Sequence, residues 1–259
     1  MVSILENGGL TPTTFSISLE ILYPDILFTY CSQDTNFEVT ADETDKVLGL
    51  VWNSDFDTFK FKVALNLSSP FTKRQILSEF TRIFDPLGLL FPCTVWIKIF
   101  YHKLCLVKGD WDSHIPSHLV RDWIKFQEAF NRINSCEIPR CVTLLSDGVI
   151  QSHGFADDSS LAYATAIYCH QAHGVAITVN LLVSKTKGAA IKQVSVPPLE
   201  LWAAHLLSDL FLAFIKTLVR YDFEVFAWTD SKVALSWLST HPRKCETFVA
   251  NRTSQILEV

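Results

Sequence analysis

Five aliphatic residues recur at every second position in one short run: Val175, Ile177, Val179, Leu181 and Val183. A period of two can be presented on one face only by an extended strand. The run lies in residues 161–184, which contain no Asp, Glu, Lys or Arg. His170, Gln171, His173, Gly174 and Asn180 interrupt that stretch and are expensive in hydrocarbon. It therefore reads as a β-hairpin, with strands at 162–169 and 175–184, rather than a membrane span. A short strand at 151–157 precedes it. Pro197-Pro198 opens a long helix to about Val219, since proline suits the first helical turn. A strand at 224–229, a short helix at 231–238 stopped by His241-Pro242, and the start of another helix at 250–258 follow. Three strands, a helix, a strand and a helix make residues 141–259 a mixed α/β domain.

The upstream chain follows other rules. Residues 1–40 carry turn chemistry (Asn7-Gly8-Gly9, Thr11-Pro12, Tyr23-Pro24) and weak periodicity. Val47-Leu-Gly-Leu-Val-Trp52 and Thr58-Phe-Lys-Phe-Lys-Val63 flank Asn53-Ser-Asp-Phe-Asp57, the pattern of a β-hairpin. Thr72-Lys-Arg-Gln75 is a capping box, and Ile76, Leu77, Phe80, Ile83 and Phe84 form one helical face that ends at Asp85-Pro86-Leu87-Gly88. Further helices are expected at 93–107 and 117–133. Ser135 to Arg140, which contains Pro139, reads as a linker. The expected segments are thus 1–66, 67–135 and 141–259.

Composition narrows the class. Hydrophobic residues make up 49% of the chain and charged residues 19%, which excludes intrinsic disorder. A net charge of −5 offers no general electrostatic attraction for nucleic acid, so any such role must come from a particular site. The seven cysteines are odd in number and scattered without a CxxC pair, so reduced thiols are expected. Met1 is followed by no basic segment and no cleavage site, and the chain reads as intracellular (cytoplasmic or nuclear), not secreted.

Three carboxylates fall at informative places. Asp157 ends the first strand of the α/β domain, Glu200 lies in the first turn of the long helix, and Asp230 ends the fourth strand. Taken singly, Asp157 and Asp158 could cap a loop, Glu200 could complement the helix dipole, and Asp230-Ser231 could be an N-cap. Taken together, strand ends and a helix start can meet at one edge of an open sheet, where such folds place their ligands. Converging carboxylates repel unless a hard cation lies between them, and oxygen-only ligation selects Mg²⁺ or Mn²⁺. Two such ions can serve phosphodiester hydrolysis without a protein nucleophile.

In this order the residues resemble the ribonuclease H fold, in the version carried by the Pol polyprotein of BEL/Pao-type LTR retrotransposons, the "Pao retrotransposon peptidase" family (A17). Glu6-Asn-Gly-Gly9 with Leu19-Glu-Ile-Leu22 is similar to a late palm segment of that reverse transcriptase, and Val47 to Trp52 to the hairpin closing the palm. Thr72-Lys-Arg-Gln-Ile-Leu-Ser-Glu-Phe-Thr-Arg-Ile-Phe-Asp-Pro-Leu-Gly-Leu-Leu-Phe-Pro92 resembles the helical thumb/connection stretch and is the most specific match. His153-Gly-Phe-Ala-Asp-Asp-Ser159, Ser184-Lys-Thr-Lys187, Val196-Pro-Pro-Leu-Glu-Leu201, Thr229-Asp-Ser-Lys-Val-Ala-Leu235 and Phe248-Val-Ala-Asn-Arg252 follow in family order. The resemblance implies that Asp157, Glu200 and Asp230 are the catalytic metal ligands of a domain that hydrolyses RNA in RNA–DNA hybrids with Mg²⁺ or Mn²⁺. The remainder of the Pol polyprotein would be its partner. Asp158 stands where the family usually has Ala. The family's fourth carboxylate would fall beyond Val259, so the domain is read as C-terminally truncated and weak or inactive alone. A non-catalytic relic, or a module that only positions nucleic acid, is the alternative.

Other chemistries fit less well. Phe155-Ala-Asp-Asp158 mimics a reverse-transcriptase Tyr/Phe-x-Asp-Asp box, yet the palm-closing hairpin precedes it instead of following it. Despite the family's name, no Asp-Thr/Ser-Gly tripeptide exists, and Ser146-Asp-Gly148 has the wrong order for an aspartic peptidase. His170-Gln-Ala-His173 and His114-x-x-x-His118 lack Cys or acidic partners for a metal. The first pair is expected at a hairpin tip facing solvent. Lys185, Lys187 and Lys232 are the basic residues placed to contact phosphates, while Trp202 and Trp237 are expected in the core.

Overall fold

The computed structural model describes residues 44–47, 50–53, 55–65, 71–83, 85–140, 142, 149–173, 176–191, 196–218 and 221–258. The motifs at 6–9, 19–22 and 146–148 lie outside these residues. The chain divides into two compact units. One comprises Ser16–Pro86 with Phe100–Val142, the other Met1–Phe15, Leu87–Ile99 and Thr143–Val259.

In the first of these units, strands β1 (Thr44–Val47), β2 (Leu50–Asn53), β3 (Thr58–Phe61) and β4 (Glu137–Pro139) form an antiparallel sheet in that order. The apolar run from Val47 to Trp52 divides between β1 and β2. The expected hairpin joins β2 to β3, with Trp52 opposite Phe59. Its turn is held by Asp57, at φ +50°, which accepts a 2.9 Å hydrogen bond from Trp52 Nε1 and pairs with Arg140. Residues 137–139, expected as a linker, instead form the edge strand β4. Pro139 is tolerated there because an edge position demands no ladder donor.

Helix α1 (Lys73–Phe80) is capped as expected, the Thr72 side chain accepting from the Gln75 amide. It stops before Ile83 and Phe84 because its end tightens into i→i−3 bonds, Arg82 N to Glu79 O and Ile83 N to Phe80 O. Helix α2 (Phe91–Leu106) contributes Phe100 to this unit, and α3 (Ser117–Phe130) contributes Trp123, Phe126 and Phe130. Trp123 is 1% exposed, edge-on to Phe80 at 5.2 Å and stacked on Phe126 at 5.5 Å. That aromatic column is the unit's core. Cys136 is disulfide-bonded, contrary to the expectation of reduced thiols, whereas Cys93, Cys105, Cys169 and Cys245 are free.

The second unit is built on β5 (Ile150–Asp158), β6 (Ala162–His173), β7 (Ala176–Gly188) and β8 (Phe223–Trp228), in the order β7-β6-β5-β8. Strands β5, β6 and β7 pair antiparallel and β5–β8 pair parallel, which makes the mixed sheet expected. The uncharged stretch is indeed the β6–β7 hairpin. Helix α4 (Val196–Thr217) crosses between β7 and β8 and packs on β5, burying Leu199, Ala203, Leu207, Phe211 and Phe214. By length and composition alone α4 could cross a membrane, but half of its apolar window is already buried against this sheet and its neighbours. Gly154 allows the close approach: a Cβ there would lie 2.6 Å from Leu207 Cδ1 and nearer still to the Phe211 ring. Helices α5 (Lys232–Ser239) and α6 (Thr247–Leu257) complete the unit.

The other sheet face is partly open. Ile177 and Val179, the stripe that first identified the hairpin, are 66% and 59% exposed. Nearer the site, the same β7 strand is covered: Gly88, at φ +71°, accepts a hydrogen bond from Ser184 Oγ, and Lys98 Nζ donates to Thr186. Trp202 and Trp237, expected in the core, are half-buried. Trp202 lies between Tyr163 and Phe248.

Candidate metal centre

Strand register brings the first and third carboxylates together. The parallel β5–β8 ladder ends at Phe155 opposite Trp228. Asp157 and Asp230 each follow two residues beyond that last pair, and the charge of Asp230 acts on Asp157. Asp230 follows β8 without capping α5. That duty falls to Ser231, whose side chain accepts from the Ala234 amide at 3.1 Å and leaves the Asp230 carboxylate out of the cap. Helix α4 supplies Glu200. Because Val196 takes helical backbone ahead of the two prolines, Glu200 lies in the second turn rather than the first. A dipole-capping role is correspondingly weaker.

Alternation along β5 sorts its side chains. Ser152, Gly154 and Ala156 are buried toward α4, while Gln151, His153, Phe155 and Asp157 take the opposite parity. Asp158 therefore belongs to the α4 side, and there the charge of Glu200 acts on its carboxyl. Asp157 Oδ1 accepts from the Asp158 amide at 2.8 Å.

The electrostatics report the crowding. Burial, and then the charges of Asp230 and Glu200, push the Asp157 carboxyl up to about 6, against the pull of the Asp158 amide. Burial and Glu200 push Asp158 up to about 8. Glu200 is raised by burial and by Asp230, while hydrogen bonds from Asp158 and Ser231 oppose the rise. One oxygen of Asp158 (Oδ2) and one of Glu200 (Oε2) are buried with no hydrogen-bond partner. Buried unpartnered carboxylate oxygens are costly, and a hard divalent cation satisfies such a donor set. On that ground the residues fit Mg²⁺ or Mn²⁺. As the side chains stand, no group of three or more His, Cys, Asp or Glu among the described residues is arranged to hold a metal ion.

The lysines occupy exposed positions around this edge. Lys187 pairs with Tyr163, which pairs with Asp158, so the three share one row across the sheet. Lys185 lies two residues back on β7, and Lys232 opens α5 two residues after Asp230.

An aromatic row went unread in the sequence. Trp228 Nε1 donates to His153 Nδ1 at 3.1 Å, and His153 stacks on Phe226 at 4.9 Å. Phe155 stacks on Trp228 at 6.5 Å. His170 is not at a hairpin tip: β6 runs on to His173, and His170 meets His153 edge-on at 6.0 Å. Burial and the neighbouring His170 hold the His153 imidazole below its ordinary range. The signal was available, because His153 and Phe155 on β5 and Phe226 and Trp228 on β8 share one strand parity.

A family model described as "Pao retrotransposon-like RNaseH-like domain" matches residues 72–231. No curated protein matches the chain. Among solved structures, one titled "Structure of the foamy viral protease-reverse transcriptase dRH in complex with ds DNA" is similar at 13% identity and a TM-score of 0.48. The alignment covers 83% of this chain and 36% of that one.

Proposed function

The chain belongs to the Pao retrotransposon-like RNaseH-like domain family, and from that premise we propose that its second unit binds RNA–DNA hybrids and hydrolyses their RNA strand with Mg²⁺ or Mn²⁺. The observation that carries this reading is the gathering of Asp157, Glu200 and Asp230 from two strand ends and a helix into one mutually repelling group. When bound, divalent ions supply Lewis acidity toward a scissile phosphate.

The chain's own residues do the rest. Asp157 and Asp230 offer carboxylates from neighbouring strand ends, held in register by the β5–β8 ladder. Glu200 offers the third from a helix anchored by Leu207 and Phe211 against Gly154. Lys187 and Lys232 are placed to contact flanking phosphates, with Lys185 a step further out. A wide, shallow minor groove carrying 2′-hydroxyls is the feature by which such a site would tell an RNA strand from DNA. We further read the β1–β4 and α1–α3 unit as the late palm and thumb/connection segment of a Pol polyprotein, whose remaining parts are the natural partner.

One observation favours the non-catalytic reading, in which the unit only positions nucleic acid: among the described residues no three of His, Cys, Asp or Glu are arranged to hold a metal ion. The two readings part in one assay. The catalytic reading expects Mg²⁺-dependent cleavage of the RNA strand of a hybrid by the full chain, abolished by Asp230→Asn. Cleavage that survives the substitution would overturn the assignment. Salt-dependent hybrid binding without cleavage would instead support the positioning role.

A further inference from the structure

We propose that Asp158 is itself a ligand of the divalent cation, a fourth carboxylate that this chain supplies from β5. The inference rests on the cation-binding reading above and deepens it.

The packing of β5 on α4 leads to it. One stripe of α4 runs Glu200, Ala203, Leu207, Phe211, at helical spacing. Opposite it, every second residue of β5 faces the helix. Gly154 lies against Phe211 and Leu207, and Ala156 joins the core cluster of Ala203, Leu207 and Phe211. The next step along both elements sets Asp158 against Glu200, whose charge acts on it. Packing register therefore couples Asp158, more directly than Asp157, to the helix carboxylate. One oxygen of each, Asp158 Oδ2 and Glu200 Oε2, is buried and unpartnered. Asp157 has the opposite strand parity and is occupied in part by the Asp158 amide. Two half-buried carboxyl groups from packed elements, each with one buried and unpartnered oxygen, make a donor pair for a hard cation. The rival role for Asp158 is a plug, whose place against Glu200 keeps the ion out.

Calorimetric titration of Mn²⁺ into the full chain separates these roles without reference to cleavage. Asp158→Asn keeps the shape of the side chain, and Asp158→Ala removes the carboxyl altogether. As a ligand, Asp158 requires both variants to bind Mn²⁺ on the order of tenfold more weakly or worse, at least the loss seen when residues around metal ligands are removed. Glu224→Gln, at an exposed position on β8, should leave the affinity unchanged. Binding by Asp158→Ala as tight as wild type, or tighter, identifies a plug and overturns the proposal while the cation-binding reading stands. A wild-type chain that binds no Mn²⁺ overturns both.

Discussion

Asp158, the last residue of β5, lies against Glu200 in the second turn of α4: the Glu200 charge raises the Asp158 carboxyl, and the charge of Asp230 raises both. A strand end and a helix have been packed so that acids meet where an apolar contact would have continued the core. The consequences are electrostatic first.

Stability should depend on pH with an unusual sign. A carboxyl raised in the folded state binds its proton more tightly there than in the unfolded chain. Its stabilising contribution is present below the unfolded value and is lost as pH climbs through the folded one. For Asp157 that window runs from 3.8 to about 6, and for Asp158 from 3.8 to about 8. Without divalent ions, Asp158→Asn should therefore gain in Tm relative to wild type as pH rises from about 4 to about 8. Thermal unfolding followed by circular dichroism checks this. A difference that stays flat across the window contradicts the crowding described here.

Gly154→Ala should destabilise the second unit. The added methyl has no room between Leu207 and the Phe211 ring, since a Cβ would lie 2.6 Å from Leu207 Cδ1. Overfilling a packed contact costs about 1–3 kcal/mol. Chemical denaturation should show that loss, and unchanged stability would mean that α4 does not lie so close to β5.

The open sheet face should be replaceable. Ile177 and Val179 are 66% and 59% exposed, so the double change to Thr, which keeps strand propensity, should move stability within about 0.5 kcal/mol. Binding of an apolar dye such as ANS should fall. A large loss of stability would show that the stripe is covered after all.

Much of this architecture was legible in the residues. The two-residue period of 175–183, Pro197-Pro198 and the capping box at Thr72 placed β7, α4 and α1 within a few residues. Periodicity reports that a stripe is apolar without saying what covers it, so the exposure of Ile177 and Val179 was not legible in the sequence. Residues 137–139 were hidden because a three-residue edge strand has no period to read. At the site, Asp157, Glu200 and Asp230 could be picked out by position on their elements. Asp158 could not be assigned a role, since that required the register of β5 on α4, a contact between residues about 40 apart in sequence. The row His153, Phe155, Phe226, Trp228 needed knowledge of which strands pair.

The central claim is that oxygens from β5, α4 and the end of β8 bind one divalent centre. Mn²⁺ titration into the wild-type chain and into Asp157→Asn/Asp230→Asn, at a pH near 8 where competing protons are fewest, tests it most directly. The account expects measurable Mn²⁺ binding by the wild type and its loss in the double variant, with both chains folded by circular dichroism. Equal binding by the two chains would place the cation elsewhere and contradict the account.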